Sequence, residues 1–536
     1  MAREEYDAII LGGGPNGLLT AAYLIRAGAK VLMIEKRREM GGGAASDNHG
    51  GFVYQPHATY MMMGELMPGY KDFDMAAAGV KFLIPEVQAA LLLKDGNALV
   101  AYRDAEKTAQ SLAKFSAEDG KRYRALYKEM QEIFDEILYP ATYDYPMPAL
   151  DQFMLFSQSG LPIAKRFGEL AEMNFLQILE EYGFTEPAKT LLLYLSTMWG
   201  IPHNAGLGFL FPLFVYRMLN AGVCVGGTHR AIGTLIGIVH AGADLAEGIT
   251  PTQIILENGR AVGVKLEDGR EYRAKVVVSS LNPEQTFGEL VGEANLPEDL
   301  GYYVKEWKWE SYSLLNFNVA LRAPVEYRAA AQEPDVNRAL TCIMGIESVE
   351  DLISSFQKMD KGELAIHGHA SPMSLFSPIL APRGYHTAKF ETLAPYDLGG
   401  DAENWDRRKQ ELTRQFMELW GSYSTNFGTA HMAAHTGTTT PLDTERRFAT
   451  MKRGSIKHGA YTPFQLGANR PNLLCSSYRT PIPGLYVNGA STYPGGMILG
   501  ASGYVAAAAL VEDLKLEKWW PEMDCIKAAK AKGLMR

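Results

Sequence analysis

The chain of 536 residues is 47% hydrophobic and 21% charged, a balance that excludes a mainly disordered protein and leaves length for about three to four domains or a large interleaved pair. Its 52 Lys+Arg against 61 Asp+Glu give a formal net charge of −9, which excludes the broad positive field that meets nucleic-acid phosphates. Four cysteines, Cys224, Cys342, Cys475 and Cys525, lie far apart with no C-x-x-C pair, so neither a disulfide framework nor a dithiol redox centre is expected.

Along the chain, an apolar run is reached by Tyr6, too early for a charged n-region and an apolar h-region. No export signal is read, and a reducing, cytoplasmic setting is expected. A strand over 6–11, a turn over 12–17, a helix to about residue 26 and a strand over 31–34 ending at Glu35 make a βαβ opening. Residues 116–119, Ser-Ala-Glu-Asp, supply an N-cap and an acidic third position ahead of apolar residues at helical spacing from Tyr123 to Ile137, which begins a mainly helical stretch. Residues 190–216 are uncharged for long enough to span a membrane, but Pro202, His203, Asn204, Pro212 and three glycines within them predict buried helices joined by a turn. Short strands over 254–256, 261–266 and 271–272 are separated by Asn258-Gly259 and Asp268-Gly269, both hairpin signals. Val276 to Val278 then reads as a separate strand fed in by a crossover. Residues 313–321 read as a strand and 405–420 as a helix, and the chain closes on a strand from about 484, a glycine turn and an Ala-rich helix.

The turn Gly12-Gly13-Gly14-Pro15-Asn16-Gly17 satisfies G-x-G-x-x-G between a strand and a helix, and Glu35 ends the next strand eighteen residues after Gly17. Glycines there allow a tight turn, close approach to a pyrophosphate and close helix packing, the helix start holds the phosphates, and an acidic side chain accepts ribose hydroxyls. A second cluster, Gly41-Gly42-Gly43-Ala44, and a distal segment, Gly489 to Gly496 leading into Met497, Ile498 and a helix, add bare backbone and a positive helix end suited to a flavin ring. FAD is therefore expected, with Gly12, Gly14, Pro15, Asn16, Gly17, Glu35, Lys36, Gly42, Gly43, Ala44, Gly489, Gly496, Met497 and Ile498 as its site.

The segments GGGPNG, EKRREMGGGAAS, VGGTHRAIGTL, ENGRAVGVKLEDG, SPILAPRGYHTAKFETLAPYDL and YRTPIPGLYVNGASTYPGGMILGASGYVAA, in that order, resemble the phytoene-desaturase-like FAD oxidoreductases, in the branch named after pyridine nucleotide-disulfide oxidoreductase domains. The resemblance implies an α/β fold of the amine-oxidase and glutathione-reductase superfamily, with a Rossmann-type FAD-binding domain built from discontinuous segments and an interleaved α+β substrate domain. Residues 1–75, 225–299 and 453–536 are assigned to the FAD domain, the last with a C-terminal tail. Residues 76–224, mainly helical, and 300–452 are assigned to the substrate domain. Non-covalent FAD is implied. Only one dinucleotide fingerprint is visible, so oxygen, a quinone or an electron-transfer protein is expected as electron acceptor.

His57 and Tyr493 are the polar candidates nearest the two flavin segments and are read as the catalytic pair, with Tyr54 and Tyr60 lining the substrate pocket. His431/His435 and His367/His369 have ligand-like spacing but lack an accompanying carboxylate pattern, and no metal is expected. Trp519-Trp520 and the following Lys527, Lys530, Lys532 and Arg536 read as either a peripheral membrane contact or a tail over the FAD domain. The function expected is removal of a hydride from a C–H bond of a mainly apolar small molecule, isoprenoid-like, alicyclic or aromatic-bearing. An amine or alcohol oxidase and a non-catalytic flavin scaffold are the alternatives.

Overall fold

A computed structural model describes residues 5–428 and 430–536, and places them around two seven-stranded sheets. The first has the order Pro251–Glu257, Arg260–Leu266, Glu271–Ser279, Glu5–Leu11, Val31–Glu35, Ala243–Glu247, with Leu485–Val487 beside Glu271–Ser279. Its central strands are parallel, and the antiparallel hairpin forms one side. At Asn258-Gly259 both residues take positive φ, 49° and 77°, the requirement of a tight two-residue hairpin turn. At the second turn only Gly269 does.

The third hairpin strand and the run Val276 to Val278 are one strand, Glu271–Ser279, rather than two joined by a crossover. Its first half pairs antiparallel with Arg260–Leu266 while its second half pairs parallel with Leu485–Val487, and along its length it pairs with Glu5–Leu11. A continuous β-branched run has no turn residue to interrupt it. The edge strand Ala243–Glu247, sequence ADLAE, carries too little apolar alternation to announce itself.

The second sheet runs Met432–Thr439, Tyr312–Leu321, His386–Pro395, Gly368–Ser371, Thr341–Met344, Val87–Leu92, Ala98–Tyr102. One face packs Val87, Phe317, Cys342 and Phe390 against Trp405, Leu412, Phe416 and Trp420 of the helix Asn404–Tyr423. The helix Ala117–Ile133 starts where Ser116 Oγ accepts the Asp119 amide at 3.3 Å, and Tyr123, Leu126, Met130 and Ile133 are buried. Residues 188–216 are mostly buried helical turns joined by a turn over 202–206 that reaches the surface, and no helix among the described residues is long and apolar enough to cross a membrane.

The tryptophans of the tail are packed inward. Trp520 is buried, Trp519 stacks on Tyr23 at 5.3 Å and its indole N–H donates to the Tyr23 carbonyl at 3.2 Å. Arg26 lies 4.1 Å over the Trp519 ring. The tail therefore covers the helix Pro15–Arg26, one of the two arrangements that its sequence permits.

Candidate active site

A cavity of about 570 Å³ opens at the carboxyl ends of the first sheet's strands and reaches the second sheet, the place where open α/β sheets bind ligands. The strand Glu5–Leu11 ends in Gly12, whose amide donates to the Ile34 carbonyl at 2.9 Å. The helix Pro15–Arg26 then begins at Gly14 with proline in its first turn and no side-chain cap, so its first amides are left for a ligand. Gly42, with φ of 53°, lies so near that a Cβ there would stand 3.1 Å from Gly14 Cα. The Gly41 amide donates to the Gly13 carbonyl at 2.8 Å, locking the two glycine clusters together.

Glu35 is held by two amides: Gly13 N–H donates to one carboxylate oxygen at 2.7 Å and Arg37 N–H to the other at 2.8 Å. Each oxygen keeps acceptor capacity for a ribose hydroxyl. The distal segment is stitched to the same turn, because Gly489 N–H donates to Ser502 Oγ at 2.9 Å and Gly503 N–H to Asn16 Oδ1 at 3.0 Å. Gly500, at the uncapped start of the helix Ala501–Asp513, lines the cavity. All fourteen residues expected at the FAD site line this one cavity. Bare backbone, two uncapped helix starts and a fixed carboxylate are the chemistry that a dinucleotide requires.

Glu35→Gln is expected to weaken FAD affinity about 10-fold or more, since a charged acceptor contributes on the order of 1.5–3 kcal/mol. Titration of the apoprotein by flavin fluorescence checks it, and an unchanged dissociation constant would leave Glu35 with a purely local role.

The four pocket and catalytic candidates separate. His57 and Tyr60 line the cavity. The His57 ring sits edge-on to Phe448 at 4.4 Å, and its Nε2 has no hydrogen-bond partner among the described residues. Burial, with Lys389, Arg447 and Arg37 nearby, holds its proton affinity well below the usual histidine range. Tyr60 OH is 2.6 Å from Ser371 Oγ. Tyr54 and Tyr493 are not brought to the cavity: Tyr54 stacks on Phe52 at 6.2 Å, and Tyr493 OH donates to the Ala141 carbonyl at 2.8 Å.

Other lining residues escaped the sequence reading. Met61, Met62, Trp199 and Leu314 form apolar wall, and Arg447, Phe448 and Met451 form another side. Arg447 is fixed by two 2.7 Å bonds to Asp47. A signal for that segment exists, since Thr440-Pro-Leu-Asp443 is a capping box that starts the helix Pro441–Arg447. Glu391, buried and lining the cavity, is paired with Lys389 at 2.5 Å.

The other histidine pairs hold no cluster. Among the described residues no group of three or more His, Cys, Asp or Glu is placed to hold a metal, His431 Nε2 donates to the Ala323 carbonyl at 2.6 Å, and the side chain of His435 lies outside the described residues. His367, His369 and His458 are pushed down to about 4 by burial. An unfolded histidine binds its proton near 6.5, so between those values the unfolded chain holds more protons and stability falls as pH falls, by up to about 1.4 kcal/mol per pH unit for each imidazole. Urea midpoints should therefore drop steadily below neutral pH, and a midpoint flat down to about pH 4 would contradict the neutral burial.

Comparison with known proteins agrees with this geometry. Residues 7–146 match the FAD dependent oxidoreductase family, DAO. One of the subunits of limonene dehydrogenase from Castellaniella defragrans is 38% identical, with 99% of each chain covered. Pyridine nucleotide-disulfide oxidoreductase domain-containing protein 2 of Rattus norvegicus is 27% identical over 96% of this chain and 94% of its own. Among solved structures, cyclohexylamine oxidase from Brevibacterium oxydans shares the fold with a TM-score of 0.57, 17% identity, and coverage of 96% of this chain and 100% of that one. With a relative this close over its full length, the chain belongs to the phytoene-desaturase-like family of FAD-dependent oxidoreductases.

Proposed function

We propose that the protein removes a hydride from a C–H bond of an apolar, isoprenoid-like hydrocarbon and passes its electrons through non-covalent FAD to oxygen, a quinone or an electron-transfer protein. The observation that carries this reading is the single cavity, in which the glycine-lined dinucleotide region continues into walls made by Met61, Met62, Trp199 and Leu314. Such walls select by shape and by exclusion of water, with few polar groups to orient a substrate. Bound FAD supplies the two-electron acceptor. In this reading Gly12 to Gly17, Gly42 to Ala44 and Gly489 to Ile498 cradle it, while Glu35 and Lys36 meet its adenosine end. Residues 1–75, 225–299 and 453–536 form the FAD unit, and 76–224 with 300–452 the substrate unit. Tyr60 is the aromatic substrate contact, and Tyr493 ties the distal segment to Ala141.

The relative of Castellaniella defragrans is named for limonene, which makes cyclic terpene hydrocarbons the first trial substrates. None of the four cysteines lines the cavity among the described residues, so no thioether to the flavin is available there.

The test is anaerobic mixing of the yellow protein with limonene, other terpene hydrocarbons, putrescine and cyclohexylamine. Bleaching of the flavin by a hydrocarbon alone is expected. Bleaching only by amines would replace this reading with the oxidase, and flavin that stays with acid-precipitated protein would overturn non-covalent attachment.

A further inference from the structure

Strand His386–Pro395 sends Ala388, Phe390 and Ala394 to the core beneath the helix Asn404–Tyr423. Thr387, Lys389 and Glu391, two residues apart, take the opposite face, and Glu391 is only 4% exposed where it lines the flavin cavity. A Lys–Glu pair removed from water costs more than its attraction returns unless further bonds support it. Here the support is present. Lys389 Nζ, 2.5 Å from Glu391 Oε2, also donates to the His57 carbonyl and to Thr59 Oγ1, both at 2.9 Å.

The other oxygen, Oε1, is 3.8 Å from His369 Nε2, which has no hydrogen-bond partner among the described residues. His369 is oriented from its far side, where Nδ1 is 2.8 Å from Tyr194 OH. Behind it lies a second cavity of about 10 Å³, lined by Tyr194, Ser355, His367 and His369, at the lower bound for one water. His367 Nδ1 is likewise without a partner among the described residues, and the ring lies under the helix Val349–Asp360, where Asp351 and Lys358 act on it. Orphaned ring nitrogens on His367 and His369, the latter 3.8 Å from a buried carboxylate, call for an explanation beyond packing.

We propose that Glu391 is the base that takes the substrate's departing proton, and that His369, 3.8 Å from its Oε1, positions it. The proposal rests on the dehydrogenase reading. One substrate C–H bond breaks and its electron pair leaves as hydride to FAD. A C–H bond on the neighbouring carbon then breaks, its electron pair becomes the new C=C π bond, and the proton forms an O–H bond on Glu391 Oε1. The carboxylate is regenerated when that proton leaves to water as the product departs.

Glu391→Gln keeps shape and removes the proton acceptor. In FAD-loaded protein it should slow anaerobic bleaching by limonene about 10²- to 10⁴-fold, with FAD content retained and with partial recovery in Glu391→Asp, while the thermal transition falls because Lys389 loses its buried counter-charge. His369→Phe, a positioning variant, should move the pH profile of bleaching, whereas lost packing alone would lower the rate by one factor at every pH. The groups facing Glu391 in that profile are Lys389, His369, Ser371, Tyr60 and Tyr194. Wild-type bleaching rates in Glu391→Gln would overturn the proposal. If no hydrocarbon bleaches the wild type, the functional reading fails and infrared spectroscopy decides this one. On acidification, the difference between wild-type and Glu391→Gln spectra should isolate one protonated-carboxyl component, and that component should be displaced in His369→Phe. Identical spectra of wild type and Glu391→Gln would overturn it.

Discussion

Gly17→Ala is expected to purify without FAD. A Cβ at this position would stand 2.1 Å from the Gly12 carbonyl oxygen and 3.0 Å from Ser280 Oγ. The first contact is with backbone, which cannot swing aside as a side chain does, so the turn over 12–17 has to open. Overpacking of this kind costs about 1–3 kcal/mol, and the upper end corresponds to roughly a 100-fold loss of affinity. The loss falls on the ligand because the displaced element carries the uncapped amides at the start of the helix Pro15–Arg26. Gly237→Ala, where a Cβ meets nothing within 4 Å, is the control and should keep its flavin. Equal flavin content in both variants, measured by absorbance per protein, would contradict the assignment of the turn.

The largest loss of stability is expected from Arg470→Met. Arg470 is fully buried, and its guanidinium donates to the carbonyls of Lys457, Gly459, Ala460, Gln465 and Ala490, the tightest at 2.6 Å to Lys457. The planar fork lies 4.9 Å from the Tyr461 ring and 5.3 Å from the Trp307 ring, a combination that the lysine ammonium cannot reproduce. Methionine would leave five buried carbonyls without that donor, at a cost on the order of 3–5 kcal/mol. Ile456, His458 and Ala490 all line the flavin cavity, so FAD retention should fall together with the denaturation midpoint. A loss below about 1 kcal/mol would show that water replaces the guanidinium.

The nucleotide side of the site was legible because its chemistry is local. A strand, six residues of turn, a helix and an acid at a fixed spacing specify one another within thirty-one residues, from Glu5 to Glu35. The substrate side is assembled across the chain, and no short window contains it. Thr387, Lys389 and Glu391 alternate with Ala388 and Phe390, and such a strand ordinarily turns its polar face to water. Burial of both faces follows from the segment over 55–63, which supplies the His57 carbonyl and Thr59 hydroxyl to Lys389 from more than three hundred residues away. Arg470 was hidden for the same reason, since carbonyl acceptors leave no signature in sequence. Tyr493 is three residues from Gly496, but a neighbour in sequence can point elsewhere, and its hydroxyl is taken by Ala141. The tail tryptophans show the same limit: amphipathic rings beside lysines suit either a lipid surface or a tertiary contact, and only the folded chain displays the contact with Tyr23 and Arg26.

The central claim is that a hydrocarbon C–H bond delivers its hydride within this cavity, and the most direct measurement is the anaerobic bleaching rate of the bound flavin with limonene and with limonene deuterated at the bond that breaks. The account predicts bleaching by both, slower with deuterium, and a desaturated or otherwise oxidised terpene product in amount equal to the flavin reduced. Full FAD occupancy with no bleaching by any terpene hydrocarbon, while an amine bleaches the same preparation, would contradict it.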